Sequence, residues 1–162
     1  MKSLLLAFLL IASPALAQLP TEGERKIADY ASYGTVAVSL ALDVKYAWDS
    51  PRRGHDFAFM ALRDGVTYGG AELIKKLTHR ERPCVHLPEL CGVDPPDADV
   101  PSLHTAWPFS TLNLMAPRDT RRIAVSLTLG SVTGLLRNGA GKHDAVGVLT
   151  GAALGFATSF IR

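Results

Sequence analysis

Three short clusters of cationic, hydroxyl and imidazole side chains lie between residues 75 and 143 of this 162-residue chain. Arginine can hold a phosphate group through two parallel hydrogen bonds, and lysine adds a compact positive charge. Taken singly, the clusters also suit a basic helix end, a helix cap and a glycine-rich connector. Each cluster would also suit contact with an oxyanion such as phosphate. The residues concerned are Lys75 and Arg82-Pro83, then Pro101-Ser102 and His104, then Arg137 and His143.

The order and spacing of these clusters are Lys-x6-Arg-Pro, Pro-Ser-x-His and Arg-x5-His. This ordered triple resembles the signature of the type 2 phosphatidic acid phosphatase and vanadium haloperoxidase superfamily, and the match spans Lys75 to Gly151, roughly half of the chain. The resemblance implies an all-α fold, a compact bundle of about five helices of the acid phosphatase and haloperoxidase type. It also implies a phosphatase without metal or cofactor, acting on a phosphomonoester or on a lipid phosphate or pyrophosphate.

The same resemblance assigns roles to individual residues. His143 would be the nucleophile that forms a phosphohistidine, and His104 would be the general acid that protonates the departing oxygen. No metal ion takes part in this chemistry, and the sequence shows no convincing set of metal ligands. The phosphate contacts would come from Lys75, Arg82, Ser102, Leu103 and Arg137.

Three positions of the chain depart from the glycine, serine and aspartate of the superfamily pattern, namely Leu103, Leu136 and Gly147. The aspartate expected at the last of these would hold the nucleophilic imidazole in its reactive tautomer. Asp144 is expected to cap the last helix instead. A carboxylate of the long loop, such as Glu89 or Asp94, is therefore the candidate replacement.

These departures leave a second hypothesis open, namely a catalytically weakened pseudoenzyme that binds phosphate or lipid headgroups in the cell envelope. A third hypothesis describes an envelope interaction protein whose basic clusters belong to its surface. Finding Lys75, Arg82 and Arg137 far apart in space would favour that third hypothesis.

The first 17 residues have the pattern of a cleavable export signal. Lys2 precedes the apolar run Leu4 to Ala12, and Ala15-Leu16-Ala17 forms a cleavage site of the small-x-small kind. The apolar run is far shorter than the ~20 residues that span a bilayer. We therefore expect a signal peptide at 1–17, a single helical phosphatase-like domain at 18–162, and a periplasmic or secreted protein.

The cysteines and the charge balance limit which compartment and which kinds of partner are expected. In an oxidising compartment Cys84 and Cys91 are expected to form a disulfide, with a pair of buried cysteines as the alternative. The near balance of 17 Lys+Arg and 15 Asp+Glu excludes a basic nucleic-acid arm. The expected partner is a phosphate-containing small molecule or lipid. Peripheral membrane contact stays open, since the final uncharged run from Ala145 to Ile161 has 17 residues.

Helix signals dominate the remainder of the chain, and hairpin signals are poor. Glycines one helical turn apart, such as Gly130 with Gly134 and Gly147 with Gly151 and Gly155, predict helices that approach closely. The expected helices run from a Thr21–Glu24 capping box to about Trp48, from Asp56 to about Leu77, from a Ser102 cap past Pro108, from Pro117 and Asp119 to about Leu136, and from near Asp144 to Phe160.

Overall fold

The structure is a computed structural model that describes residues 21–86, 91, 98–111 and 120–161. Within these ranges it contains five α-helices and no strand, which confirms the prediction of an all-α bundle. The predicted signal peptide, the loop acids Glu89 and Asp94, and the predicted start of the fourth helix lie outside the described residues. The helices are α1 Glu22–Asp49, α2 Arg53–Thr78, α3 Leu103–Ser110, α4 Thr120–Gly139 and α5 Ala145–Thr158, and a 3-10 turn spans Pro83–His86.

Two predicted helix caps are present. The Thr21 hydroxyl accepts a hydrogen bond from the Glu24 amide at 3.3 Å, and the Glu24 carboxylate accepts one from the Thr21 amide at 2.7 Å. This reciprocal pair is the capping box that opens α1. Asp144 caps α5, because its Oδ1 accepts a hydrogen bond from the Gly147 amide at 2.9 Å.

Other helix ends differ from the predictions. The helix α2 begins at Arg53, three residues before the predicted Asp56, because the Asp56 amide already donates to the Arg52 carbonyl. The helix α4 continues past Leu136 to Gly139, since the amide of residue 140 still donates to the Leu136 carbonyl. The helix α5 ends at Thr158 rather than Phe160, and a turn follows it.

The predicted cap of α3 has the expected residue but lacks the capping hydrogen bond. Ser102 occupies the N-cap position, but its hydroxyl makes no hydrogen bond to the backbone of the first turn. The hydroxyl instead accepts a hydrogen bond from the Thr105 hydroxyl at 3.0 Å. The backbone amide of Ser102 is also engaged, because it donates to the Gly147 carbonyl at 2.8 Å.

The four longer helices form a ring around the short helix α3. The helix α1 contacts α2, α2 contacts α5, α5 contacts α4, and α4 contacts α1, while α3 contacts all four. A Cβ atom at Gly151 or Gly155 would overlap the carbonyl oxygen of Ser102 or Ala106. Backbone therefore packs directly on backbone between α5 and α3, as the glycine spacing predicts. This contact brings the start of α3 beside the start of α5.

Polar side chains occupy much of the ring's interior. Ser32 and Ser39 of α1 are buried, and so is Asp43, which pairs with Arg63 of α2 at 2.5 Å. Both members of that ion pair are almost fully shielded from solvent. Within the described ranges, no helix combines the length and the apolar character needed to traverse a bilayer.

Candidate functional site

His143 lies in the connector between α4 and α5, with its side chain 2 % exposed. The ring Nδ1 is 2.6 Å from the main-chain oxygen of Asp99 and 3.2 Å from the Oδ1 atom of the same residue. A carbonyl oxygen can only accept, so Nδ1 must carry the proton of this short hydrogen bond. A neutral ring then presents an unprotonated Nε2, which is the form required of a nucleophilic histidine.

Three cations act electrostatically on this imidazole. The pKa of His143 lies well below its ordinary value, first because the ring is buried and then because Arg82, Arg137 and Lys75 are close to it. Hydrogen bonds also join both arginine residues to the connector that carries His143. The amide of His143 donates to the carbonyl of Arg137, and the Arg82 guanidinium donates to the carbonyl of Lys142 at 3.4 Å. The site therefore combines a neutral imidazole with three nearby cations, of which Lys75 and Arg137 are themselves paired with carboxylates.

Lys75 reaches the site from the last turn of α2. Its ammonium group is 2.8 Å from Glu72 Oε1, and its side chain is 14 % exposed. In the same turn, the Thr78 hydroxyl donates to the Ile74 carbonyl at 2.9 Å and lies 3.4 Å from the carbonyl oxygen of Val100. The end of α2 therefore touches the segment that carries Asp99, which explains how the first cluster meets the third.

Arg137 is held in place from α1. Its side chain is 1 % exposed, and its Nη1 lies 2.6 Å from Asp29 Oδ1. Lys142 lies 3.5 Å from the other oxygen of Asp29 and donates to the carbonyl of Cys91 at 2.8 Å. Cys91 is bonded to Cys84, with a Cα–Cα distance of 5.3 Å. The disulfide loop and α1 thus both contact the connector that carries His143.

The second cluster forms the start of α3. Ser102 and Leu103 are buried at the start of this helix, and His104 is half-buried. The His104 ring packs edge-on against Tyr33 of α1 at a centroid distance of 4.7 Å. The Arg137 guanidinium lies 5.8 Å from the centroid of the same tyrosine. The structure thus brings Lys75, Arg82 and Arg137 to His143 and connects His104 to Arg137 through Tyr33.

The acid in contact with His143 comes from the long loop, as predicted, but it is Asp99 and not one of the two acids named as examples. Asp99 stands two residues before Pro101, at the end of the acidic loop, and its side chain is fully buried. Burial raises its pKa, while hydrogen bonds from Asp144 and the charges of Arg80 and Arg82 oppose that rise. Its position immediately before the second cluster is the only sequence signal that could have singled it out.

The described residues contain no group of three or more histidine, cysteine, aspartate and glutamate side chains able to hold a metal ion. Comparisons of the chain with protein-family models, curated proteins and solved structures found no match. The functional argument therefore rests on the motif residues and on the arrangement of the site.

Proposed function

We propose that this chain is a metal-independent phosphatase with a helical core of the acid phosphatase and haloperoxidase type. One observation supports the proposal above all others. A buried imidazole, protonated on Nδ1, stands among the charges of Arg82, Arg137 and Lys75. Hydrolysis of a phosphomonoester needs both features. The phosphate dianion needs several positive charges around it, and the phosphorus atom needs an unprotonated nucleophile.

The reaction would proceed in two displacements at phosphorus. In the first, Nε2 of His143 bonds to phosphorus while the bond from phosphorus to the ester oxygen breaks, and His104 gives its proton to that oxygen. In the second, water attacks the phosphohistidine, His104 takes a proton from the water, and inorganic phosphate leaves. Lys75, Arg82 and Arg137 would neutralise the phosphate oxygens in both steps.

The proposed substrate is a phosphomonoester or a lipid phosphate or pyrophosphate, met outside the cytoplasm. The bond between Cys84 and Cys91 suits an oxidising compartment, and it agrees with the export signal expected at residues 1–17. The proximity of three cations to a single imidazole also weighs against an envelope interaction protein whose basic clusters are unrelated surface.

The test is release of inorganic phosphate by the purified mature protein. Substrates are 4-nitrophenyl phosphate and a short-chain phosphatidic acid, each assayed with and without vanadate. Turnover should be inhibited by vanadate and abolished by His143→Ala. His55→Ala serves as the control, because His55 is exposed on the first turn of α2 and its described contacts are with Asp56 and Phe59 of the same helix. Absence of His143-dependent release from every substrate would refute the catalytic proposal.

A second candidate function is binding of phosphate or a lipid headgroup without turnover. The contact between Asp29 and Arg137 favours it, because the carboxylate offsets positive charge that would stabilise the transferring phosphoryl group, while Arg82 and Lys75 remain to attract an anion. Saturable binding of inorganic phosphate or vanadate by a protein that releases no product would support this function.

A further inference from the structure

We propose that Asp99 is the positioning residue for His143 and that glycine at position 147 leaves the room that Asp99 occupies. This inference rests on the proposed phosphatase function, for which His143 is the nucleophile. It concerns the carboxylate that the superfamily pattern would place at residue 147, one helical turn after the histidine. In this chain the carboxylate arrives from a different segment, 44 residues earlier in the sequence than the histidine.

Asp99 contacts the imidazole twice through one nitrogen. The main-chain oxygen, at 2.6 Å from Nδ1, fixes which nitrogen carries the proton. The Oδ1 atom, at 3.2 Å from the same nitrogen, adds a negative charge beside it. The first contact selects the tautomer, and the second favours the positive charge that the ring gains when Nε2 bonds to phosphorus.

Asp99 is itself held by its neighbours. Its amide donates to the carbonyl of Arg80 at 3.0 Å, and its Oδ1 accepts from the amide of Asp144 at 3.2 Å. The guanidinium of Arg80 lies 3.5 Å from Oδ2 and also pairs with Asp144. Backbone and side chain are therefore both fixed, so the carboxylate meets the imidazole without a large loss of rotational freedom.

The space beside Gly147 shows why Asp99 and a side chain at position 147 could not both be present. A Cβ atom at this position would lie 2.7 Å from the Asp99 carbonyl oxygen, 2.8 Å from Oδ1 and 3.2 Å from Cγ. A side chain at 147 would thus need the volume that Asp99 fills. Glycine at position 147 therefore accompanies the change in which residue supplies the aspartate, and the site keeps a carboxylate that orients the imidazole.

The experiment compares Asp99→Asn with the charge-matched control Asp49→Asn in the full mature protein. Asp49 is an exposed residue at the far end of α1 whose partner is Lys45. With 4-nitrophenyl phosphate, Asp99→Asn should lower kcat roughly 10²-fold. This is less than the ~10⁴-fold loss after the equivalent change in a serine protease, because the main-chain carbonyl still fixes the tautomer.

The KM and the affinity for inorganic phosphate should change by less than about threefold, since Asp99 orients the nucleophile and does not hold phosphate. Asp49→Asn should leave all three quantities as they are in the wild type. A kcat for Asp99→Asn within about threefold of wild type would overturn the proposal. So would a loss of phosphate affinity as large as the loss of kcat, because it would assign Asp99 to the shape of the phosphate pocket.

A spectroscopic measurement on the wild type keeps the proposal testable if Asp99→Asn does not fold, and it does not depend on turnover. In protein with ¹⁵N-labelled histidine, the His143 ring is assigned by the resonances lost in His143→Ala. We expect protonation on Nδ1 and not on Nε2. A ring protonated on Nε2 would overturn the positioning role even in an active enzyme. The expected tautomer without any turnover would refute the phosphatase and leave the positioning of the ring intact.

Discussion

Replacing Gly147 by alanine tests the packing between Asp99 and α5 with a single methyl group. The new Cβ would stand 2.7 Å from the Asp99 carbonyl oxygen, and that neighbour is main chain rather than the end of a flexible side chain. Ordinary contact needs about 3.4 Å, so the two segments must separate by roughly 0.7 Å. The hydrogen bond from His143 Nδ1 to that oxygen, now 2.6 Å, would lengthen to about the limit for such bonds.

Two opposing terms set the expected stability of Gly147→Ala. Overpacking of a buried site costs about 1–3 kcal/mol, whereas alanine in place of glycine inside a helix gains about 0.5–1 kcal/mol. The net change is a destabilisation of about 1–2 kcal/mol, or a fall of roughly 3–8 °C in Tm for a domain of this size. Turnover should fall about 10- to 100-fold, because the weakened hydrogen bond orients the nucleophile.

Gly69→Ala is the matched control for this change. Gly69 is an exposed residue of α2, and a Cβ atom there would have no neighbour within 4 Å. This variant should be as active as wild type and more stable by about 0.5–1 kcal/mol. Thermal unfolding and 4-nitrophenyl phosphate turnover are measured for both variants. The reasoning would be refuted if Gly147→Ala matched Gly69→Ala in both stability and activity.

Three further predictions concern pH and the disulfide. Burial raises the pKa of Asp43 to about 6, so the folded protein binds a proton at this carboxyl more tightly than the unfolded chain does. Proton binding at Asp43 therefore stabilises the fold at low pH, and this stabilisation is lost as pH rises from about 4 to about 6. Urea unfolding should show the wild type losing on the order of 3 kcal/mol relative to Asp43→Asn over that interval, and a pH-independent difference would contradict this. Because the pKa of His143 is lowered well below its usual value, the imidazole stays neutral in mild acid, and kcat/KM should show no ionisation of His143 near pH 6.5. Because a phosphomonoester itself ionises at about pH 6, the check is the ¹⁵N signal of the His143 ring, and protonation of that ring near pH 6.5 would contradict the neutral nucleophile. Replacing Cys84 and Cys91 together by serine should lower the free energy of unfolding by about 2–3 kcal/mol, because the disulfide no longer restricts this short loop in the unfolded chain. An unchanged free energy of unfolding would contradict this prediction.

Features determined by neighbouring residues could be predicted from the sequence. The capping box of Thr21 and Glu24 and the Asp144 cap depend on contacts three residues apart, and both are present. Glycine spacing predicted the close approach of helices because it depends only on the helical repeat. The start of α2 was misplaced, since neither Arg52 nor Arg53 carries a side chain that marks a helix start.

Contacts between distant segments could not be predicted in the same way. Asp99 meets His143 across 44 residues, and Asp29 meets Arg137 across 108. Both contacts depend on how the ring of helices closes around α3, which no local pattern specifies. The motif order indicated that cations and a histidine would meet. It did not show which acids complete the site, because the superfamily pattern pointed to position 147 and the loop offered several candidates.

The most direct test of the proposed function is to trap the phosphorylated enzyme. Wild-type protein is mixed with ³²P-labelled 4-nitrophenyl phosphate, quenched rapidly in alkali and digested, and the labelled peptide is sequenced. The account predicts label on His143, in a linkage that survives alkali and is lost in acid, and no label in His143→Ala. Turnover without a labelled histidine, or label that persists in His143→Ala, would contradict it.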